Sequence, residues 1–196
     1  MMHALDPAVH GPIFNTIQLL LPERPVQPLG CHRRRVSDQV CFGCIFLRLV
    51  TGASWENIEH CLGNVVSDNT LRHRRDEWIT AGIFDELAHQ AIFGYHHLIG
   101  LDLNNVCIDG SDHLAPGGGE GTGHGFNHPG RLTRNWCLAV DADGIPIAWN
   151  TAAGNRNDYS MRFPLLDKLT NHNLTDRIGT LHADRGFNYP STPARL

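Results

Sequence analysis

The stretch Asn105-Val106-Cys107-Ile108-Asp109-Gly110-Ser111 constrains this chain more than any other. Three β-prone apolar residues run directly into a carboxylate, and the glycine behind it lets the backbone turn sharply. That is how a buried strand delivers an acid to a sheet edge. Near the other end, Ile178-Gly179-Thr180-Leu181-His182-Ala183 leads into Asp184, followed by Arg185 and Gly186. The acids are 184 − 109 = 75 residues apart. The material between them reads as two strands and a helix, so both acids can end on neighbouring strands of one sheet. Carboxylates brought together this way repel unless a cation sits between them, and hard oxygen donors suit Mg²⁺ or Mn²⁺. The plainer reading is that each acid is a turn residue at a strand end, where Asp is common.

A chain of 196 residues can bury a sizeable core as one large domain or two small ones. Its formal net charge of −4 argues against general coating of nucleic acid and leaves local basic patches as what to look for. Lys168 is the only lysine, so the positive charge is nearly all arginine, the better phosphate fork. No apolar run is long enough to cross a bilayer, and the N-terminus lacks a basic-then-apolar secretory pattern. The expectation is a soluble cytoplasmic protein with no membrane partner. Its six cysteines are scattered through apolar segments and read as buried thiols.

Residues 1–30 carry Pro7, Pro12, Pro22, Pro25 and Pro28 around a short apolar piece and read as an arm with one or two helical turns. Cys31-His32-Arg33-Arg34-Arg35 is a basic cluster directly before a helix signal. There Ser37 can cap, and Val40, Cys41, Cys44, Ile45 and Leu49 recur at helical spacing up to Gly52. A second helix starts at Ser54, with Trp55, Ile58 and Leu62 inward, and stops at Gly63. A third starts at Ser67, places Leu71, Trp78 and Ile79 on one face, and ends near Gly82. Three short helices with tight glycine turns are the layout of a helix-turn-helix domain. On the third helix Asn69 and His73 point outward with Arg72 and Arg74 on their flanks. Such a face can read base edges while Arg33, Arg34 and Arg35 grip phosphates. The rival reading is a solvated basic helix in an ordinary bundle. Cys41-x-x-Cys44 also invites a structural zinc, but it lies in a helical apolar stripe and no second pair at finger spacing follows.

Phe84 to Ile99 continues as an amphipathic helix, and Gly100 to Asn104 forms a boundary. The expected division is an arm at 1–30, a helical domain at 31–100 and a strand-containing domain at 101–196. The glycine-rich stretch from Pro116 to Gly130 lacks the strand-then-helix context of a nucleotide loop and reads as a hairpin loop, its His124 and His128 solvated. Leu132 to Val140 is a strand with Trp136, Leu138 and Val140 on one face. Asp141-Ala142-Asp143-Gly144 is a turn, and Ile145 to Thr151 is the partner strand. Asp158 then caps a helix from Tyr159 to Leu169 that Pro164 kinks or delays. The second acid-bearing strand follows, and a helix start is expected at Tyr189 and Pro190.

These residues together resemble bacterial insertion-sequence transposases of the DDE type, the insertion sequence five group. The resemblance is carried in the helical half by Arg-Val-Ser-Asp (35–38), Thr-Gly-Ala-Ser-Trp (51–55) and Trp-Ile-Thr-Ala-Gly-Ile-Phe (78–84). In the second half it is carried by Ile-Asp-Gly-Ser (108–111), Leu-Ala-Val-Asp-Ala-Asp-Gly-Ile-Pro (138–146), Gly-Asn-Arg-Asn-Asp (154–158) and Ala-Asp-Arg-Gly-Phe-Asn (183–188). It implies an α+β chain, with a helix-turn-helix domain followed by an RNase H-like core on a mixed sheet. Asp109 and Asp184 match the first two acids of a triad that holds Mg²⁺ or Mn²⁺ for in-line attack on a phosphodiester. The implied partner is double-stranded DNA at terminal inverted repeats, bound by a homo-oligomer in the cytoplasm at the nucleoid. The family's third acid, a glutamate on a later helix, has no match, since residues 185–196 hold no Asp or Glu. The expectation is therefore a transposase with an incomplete core and impaired catalysis, or alternatively a non-catalytic DNA-binding remnant or repressor.

Overall fold

The computed structural model describes residues 6–23 and 35–187. Cys31, His32, Arg33, Arg34, Tyr189 and Pro190 lie outside the described residues. The chain divides into two compact units, Met1–Ala91 and Ile92–Leu196.

The first unit is helical: α1 (Pro7–Leu20), α2 (Asp38–Thr51), α3 (Trp55–Cys61), α4 (Asp68–Thr80), and the start of α5 (Ile83–Leu98), inside which the division falls. The arm expected at 1–30 instead contains a helix of 14 residues. The prolines misled because Pro7 occupies the first helical turn, where a missing N–H costs nothing, behind an Asp6 cap that accepts from Ala8 N–H at 2.9 Å. Phe14 and Ile17 join Phe42, Ile45, Trp55, Ile58, Leu71 and Trp78 in one core. The serine caps stand where the sequence placed them. Ser37 accepts from Val40 N–H at 3.3 Å, Ser54 from Asn57 N–H at 3.1 Å, and Ser67 from Thr70 N–H at 3.3 Å. Gly52 (φ 69°) and Gly63 (φ 65°) take the left-handed conformation that ends one helix and starts the next turn. Leu62 and Ile79, expected inward, are exposed. Leu62 has already left the helix as its C-cap, and Ile79 sits beside the buried Trp78, one position round the wheel. Cys41 and Cys44 are buried in the apolar core, and burial raises both thiols above their ordinary pKa.

Among the described residues the second unit holds the end of α5 and a mixed sheet with a further helix packed on it. Its strands are β1 (Asn105–Leu114), β2 (Gly123–His124), β3 (Leu132–Val140), β4 (Pro146–Ala153) and β5 (Thr180–Ala183). β3 pairs antiparallel with β1, with β4 and with the short β2, and β5 joins β1 in parallel. The glycine-rich stretch thus returns as a strand, β2, which the sequence did not show. The helix α6 (Asp158–Asn171) crosses between β4 and β5. It buries Met161, Leu165 and Leu169 against Val106, Ile108, Cys137, Ala139 and Ile147. Asn157, not Asp158, caps α6, accepting from Ser160 N–H at 3.0 Å. Pro164 lies inside the helix without ending it.

The sheet refines one expectation and corrects another. Trp136 and Leu138 share a face as expected, and it is the exposed one; the alternate residues Thr133, Asn135, Cys137 and Ala139 are buried, Cys137 and Ala139 in one core with Met161, Leu165 and Leu169 of α6. The tryptophan and leucine are larger, but the facing helix decides which side is inside. The chain does not turn at Gly110. β1 runs straight through it, with Gly110 opposite Cys137 and Leu114 opposite Thr133. Gly110 is required by space instead. A Cβ there would stand 2.9 Å from both Cγ and Oδ1 of Asp158.

Among the described residues no helix is long and apolar enough to cross a membrane.

Candidate functional site

The parallel pairing of β1 and β5 runs in register from Asn105 opposite Thr180 to Ile108 opposite Ala183. The next residue on each strand is an acid, Asp109 on β1 and Asp184 just past β5. Both are exposed. Gly110 N–H donates to Asp109 Oδ1 at 2.8 Å, and Arg185 N–H donates to Asp184 Oδ1. Each carboxylate is thereby held close to its own backbone with its remaining lone pairs free for a ligand. Arg162 of α6 steadies the turn that carries Asp184. Its guanidinium stacks on Tyr159 and Phe163 and donates from Nη1 to Phe187 O at 3.0 Å.

A third acid was not anticipated as part of this site. Asp158, the first residue of α6, lies against Gly110, and its half-buried carboxyl is raised above the ordinary carboxylate range. Burial is the larger cause; the negative charges of Asp109, Asp184 and Asp112 add to it. The Cys137 thiol behind them is pushed up to about 11 by burial, with Asp158 and Asp109 contributing. Gly-Asn-Arg-Asn-Asp was legible as a loop ending in a cap, but only the helix position shows that its last residue points at the strand acids. The available signal was Gly110 itself, a glycine within a strand pattern, which marks a close approach.

An open cavity of about 290 Å³ adjoins Asp158, with Asp112, Asn135, Arg156 and Gly186 among its lining residues. Its floor is rich in acceptors. Asp112 Oδ1 and Asn135 Oδ1 are both buried without a hydrogen-bond partner among the described residues, although Asn135 Nδ2 donates to Arg156 O at 2.7 Å. An all-oxygen donor set in a field of excess negative charge suits a hard divalent cation. Among the described residues no three His, Cys, Asp or Glu side chains are gathered closely enough to hold one metal ion together.

The basic residues expected to face DNA divide sharply. Asn69, Arg72 and His73 are exposed on α4. Arg72 Nε donates to Asp68 at 3.1 Å, one turn earlier on the same helix. Arg74 is a correction: it is 3% exposed. It ion-pairs with Asp38, donates to Val36 O at 3.2 Å, and has Nε 3.4 Å from Glu77. It ties α4 to the start of α2 and has no reach to a phosphate. Alternation of arginines on a basic helix hides this, because the wheel places Arg74 only slightly off Leu71 and Trp78. Arg35, also expected on phosphate, donates from Nη2 to both oxygens of Glu77 at 2.7 and 2.8 Å.

Comparison with protein-family models, curated proteins and solved structures yields no match for this chain.

Proposed function

We propose that this chain is a transposase of the DDE type, cleaving and joining DNA strands with Mg²⁺ or Mn²⁺ at Asp109 and Asp184. The observation that carries the reading is the register of β1 and β5, which sets the two acids one step beyond their last paired residues. The strand order supports an RNase H-like core: three antiparallel strands, a helix on one face, then a strand parallel to the first. The sequence motifs quoted above add the family. The helices α2, α3 and α4 supply the helix-turn-helix of the same reading, with Asn69, Arg72 and His73 toward DNA. The expected partner is double-stranded DNA at the element's terminal inverted repeats, bound by a homo-oligomer in the cytoplasm.

A divalent ion held by the two acids would neutralise charge on a scissile phosphate and acidify a bound water or 3′-hydroxyl. The chain's own groups set the geometry for that chemistry. The Gly110 and Arg185 amides fix one oxygen of each acid, and Arg162 anchors the turn behind Asp184. Arg185 places a positive charge next to the second acid, where a phosphate oxygen would arrive. Asp158 raises the negative field at the pair and so favours a cation there.

A second reading, DNA binding without cleavage, is favoured by the lack of any three-ligand metal group among the described residues. A nicking assay on supercoiled DNA carrying the element's ends, with Mg²⁺ or Mn²⁺, separates the two. Nicking that disappears in both Asp109→Asn and Asp184→Asn is the expected result. Nicking that survives either change overturns the assigned acids, and end-specific binding with no nicking favours the second reading.

A further inference from the structure

Three arginines from two helices surround one tryptophan in the first unit. Trp55, at the start of α3, is buried. Over its ring stand the guanidinium carbons of Arg48 at 4.6 Å, Arg75 at 5.5 Å and Arg72 at 6.0 Å. Arg48 belongs to the last turn of α2; Arg72 and Arg75 are one turn apart on α4. Three like charges on one indole repel, and the ring's quadrupole offsets only part of that cost.

The counter-charges are unevenly shared. Arg72 pairs with Asp68, and Arg75 Nε donates to Asp76 at 2.8 Å. Arg48 has no acidic partner among the described residues, and its Nε is buried without a hydrogen-bond acceptor. Its pKa is lowered, by burial first and then by the charges of Arg75 and Arg72. A buried donor left unsatisfied is costly in a native protein and marks a place where a partner is to be added. Arg72 and Arg75 are both open to solvent, their side chains 45% and 36% exposed, so an anion can reach the group from outside.

We propose that Arg48, Arg72 and Arg75 form a cradle for one phosphate group, with Trp55 as its floor and Arg48 Nε as its innermost donor. Tetrahedral phosphate matches the chemistry: several charge-assisted donors from forked guanidiniums converge on one small dianionic or monoanionic group. As a phosphate of the DNA backbone, this contact deepens the DNA-binding reading and rests on it. It would sit beside Asn69 and His73 on the same helix and hold that helix in register against the duplex. Arg48 did not stand out in the sequence because it is a single arginine in an apolar helix, and Arg75 because it merely extends the Arg72 to Arg74 run.

The test uses the full chain and two probes, a fluorescent duplex and inorganic phosphate. Duplex affinity is measured against salt for the wild type, Arg48→Gln and Arg48→Lys, with circular dichroism confirming folding. Losing one phosphate contact lowers the slope of log K against log salt by about 0.9, or roughly eightfold in affinity at 0.1 M salt. Arg48→Gln is expected to show that loss, and Arg48→Lys to recover most of the slope because a charge remains. Duplex binding with an unchanged slope in folded Arg48→Gln overturns the proposal. If the wild type binds no duplex, the arginine Nε–H resonances are followed during phosphate titration. A saturable shift of Arg48 Nε–H then supports a cradle for free phosphate and removes only the DNA reading, whereas no shift overturns the cradle as well.

Discussion

Arg74 gives the sharpest contrast between a DNA contact and a structural ion pair. Its side chain is 4% exposed and that of its partner Asp38 is 12% exposed, so both charges are largely out of water. Replacing Arg74 with alanine removes the ion pair with Asp38, the hydrogen bond to Val36 O and the contact with Glu77. Breaking a buried pair from one side costs about 3–5 kcal/mol, because the remaining charge is left uncompensated. Arg35 Nη2, 3.9 Å from Asp38, stays to offset part of it, which places the expected loss near ~3 kcal/mol. For a unit of this size that corresponds to a fall of about 12–24 °C in Tm. Arg72→Ala, which removes an exposed pair, is expected to cost less than about 1 kcal/mol. Urea unfolding is followed by tryptophan fluorescence in a background with Trp136→Phe and Trp149→Phe, so that Trp55 and Trp78 report on this unit. Adding Asp38→Asn to Arg74→Ala should recover part of the loss by removing the stranded charge. If Arg74→Ala keeps wild-type stability and instead weakens duplex binding, the structural role assigned to Arg74 is wrong.

Two further outcomes follow from the second unit. A Cβ at Gly154 would lie 1.8 Å from Thr133 Oγ1 and 3.0 Å from the Gly123 carbonyl, so Gly154→Ala is expected to cost at least about 2–3 kcal/mol by overpacking; thermal melts check it, and a neutral effect would refute the packing. Asp158 has a folded pKa raised by burial and by its acidic neighbours, so the folded state holds that proton more tightly than the unfolded chain does. Its contribution to stability therefore falls as pH rises from the unfolded carboxylate value, about 3.9, through the raised folded value, and stays lower above it. Asp158→Asn should gain stability over the wild type across that window, and added Mg²⁺ should narrow the gap. Melting curves from pH 4 to 7 test the sign, and a wild type that gains on Asp158→Asn as pH rises would refute it.

Local features were readable without the fold because they depend on near neighbours. Ser37, Ser54 and Ser67 cap the helices they precede, and Leu132 to Val140 is the strand its alternation indicates. Asp109 and Asp184 both read as strand-end acids because apolar β-prone runs lead into them; Asp184 does follow the end of β5, but Asp109 lies in the middle of β1, which pairs with β3 on to Leu114. The alternation on β3 could show that Trp136 and Leu138 share a face but not which face α6 covers. Gly110 looked like a turn because glycine permits one, and the reason for it is the carboxylate of a residue 48 positions later.

The sequence by itself determined most of the helices and strands, the three serine caps and the two apolar runs that lead into acids, since these follow from periodicity and from hydrogen bonds within a few residues; it did not show the helix α1, the strand β2 or the Asn157 cap. Only the tertiary structure decided that β5 lies parallel to β1 in the register that pairs Ile108 with Ala183. It alone brought Asp158 to the strand acids, buried Arg74, and set Arg48 beside Arg72 and Arg75. Each of these depends on which surfaces leave water together. Residues far apart in the chain acquire their charge environment from that packing rather than from their neighbours in sequence.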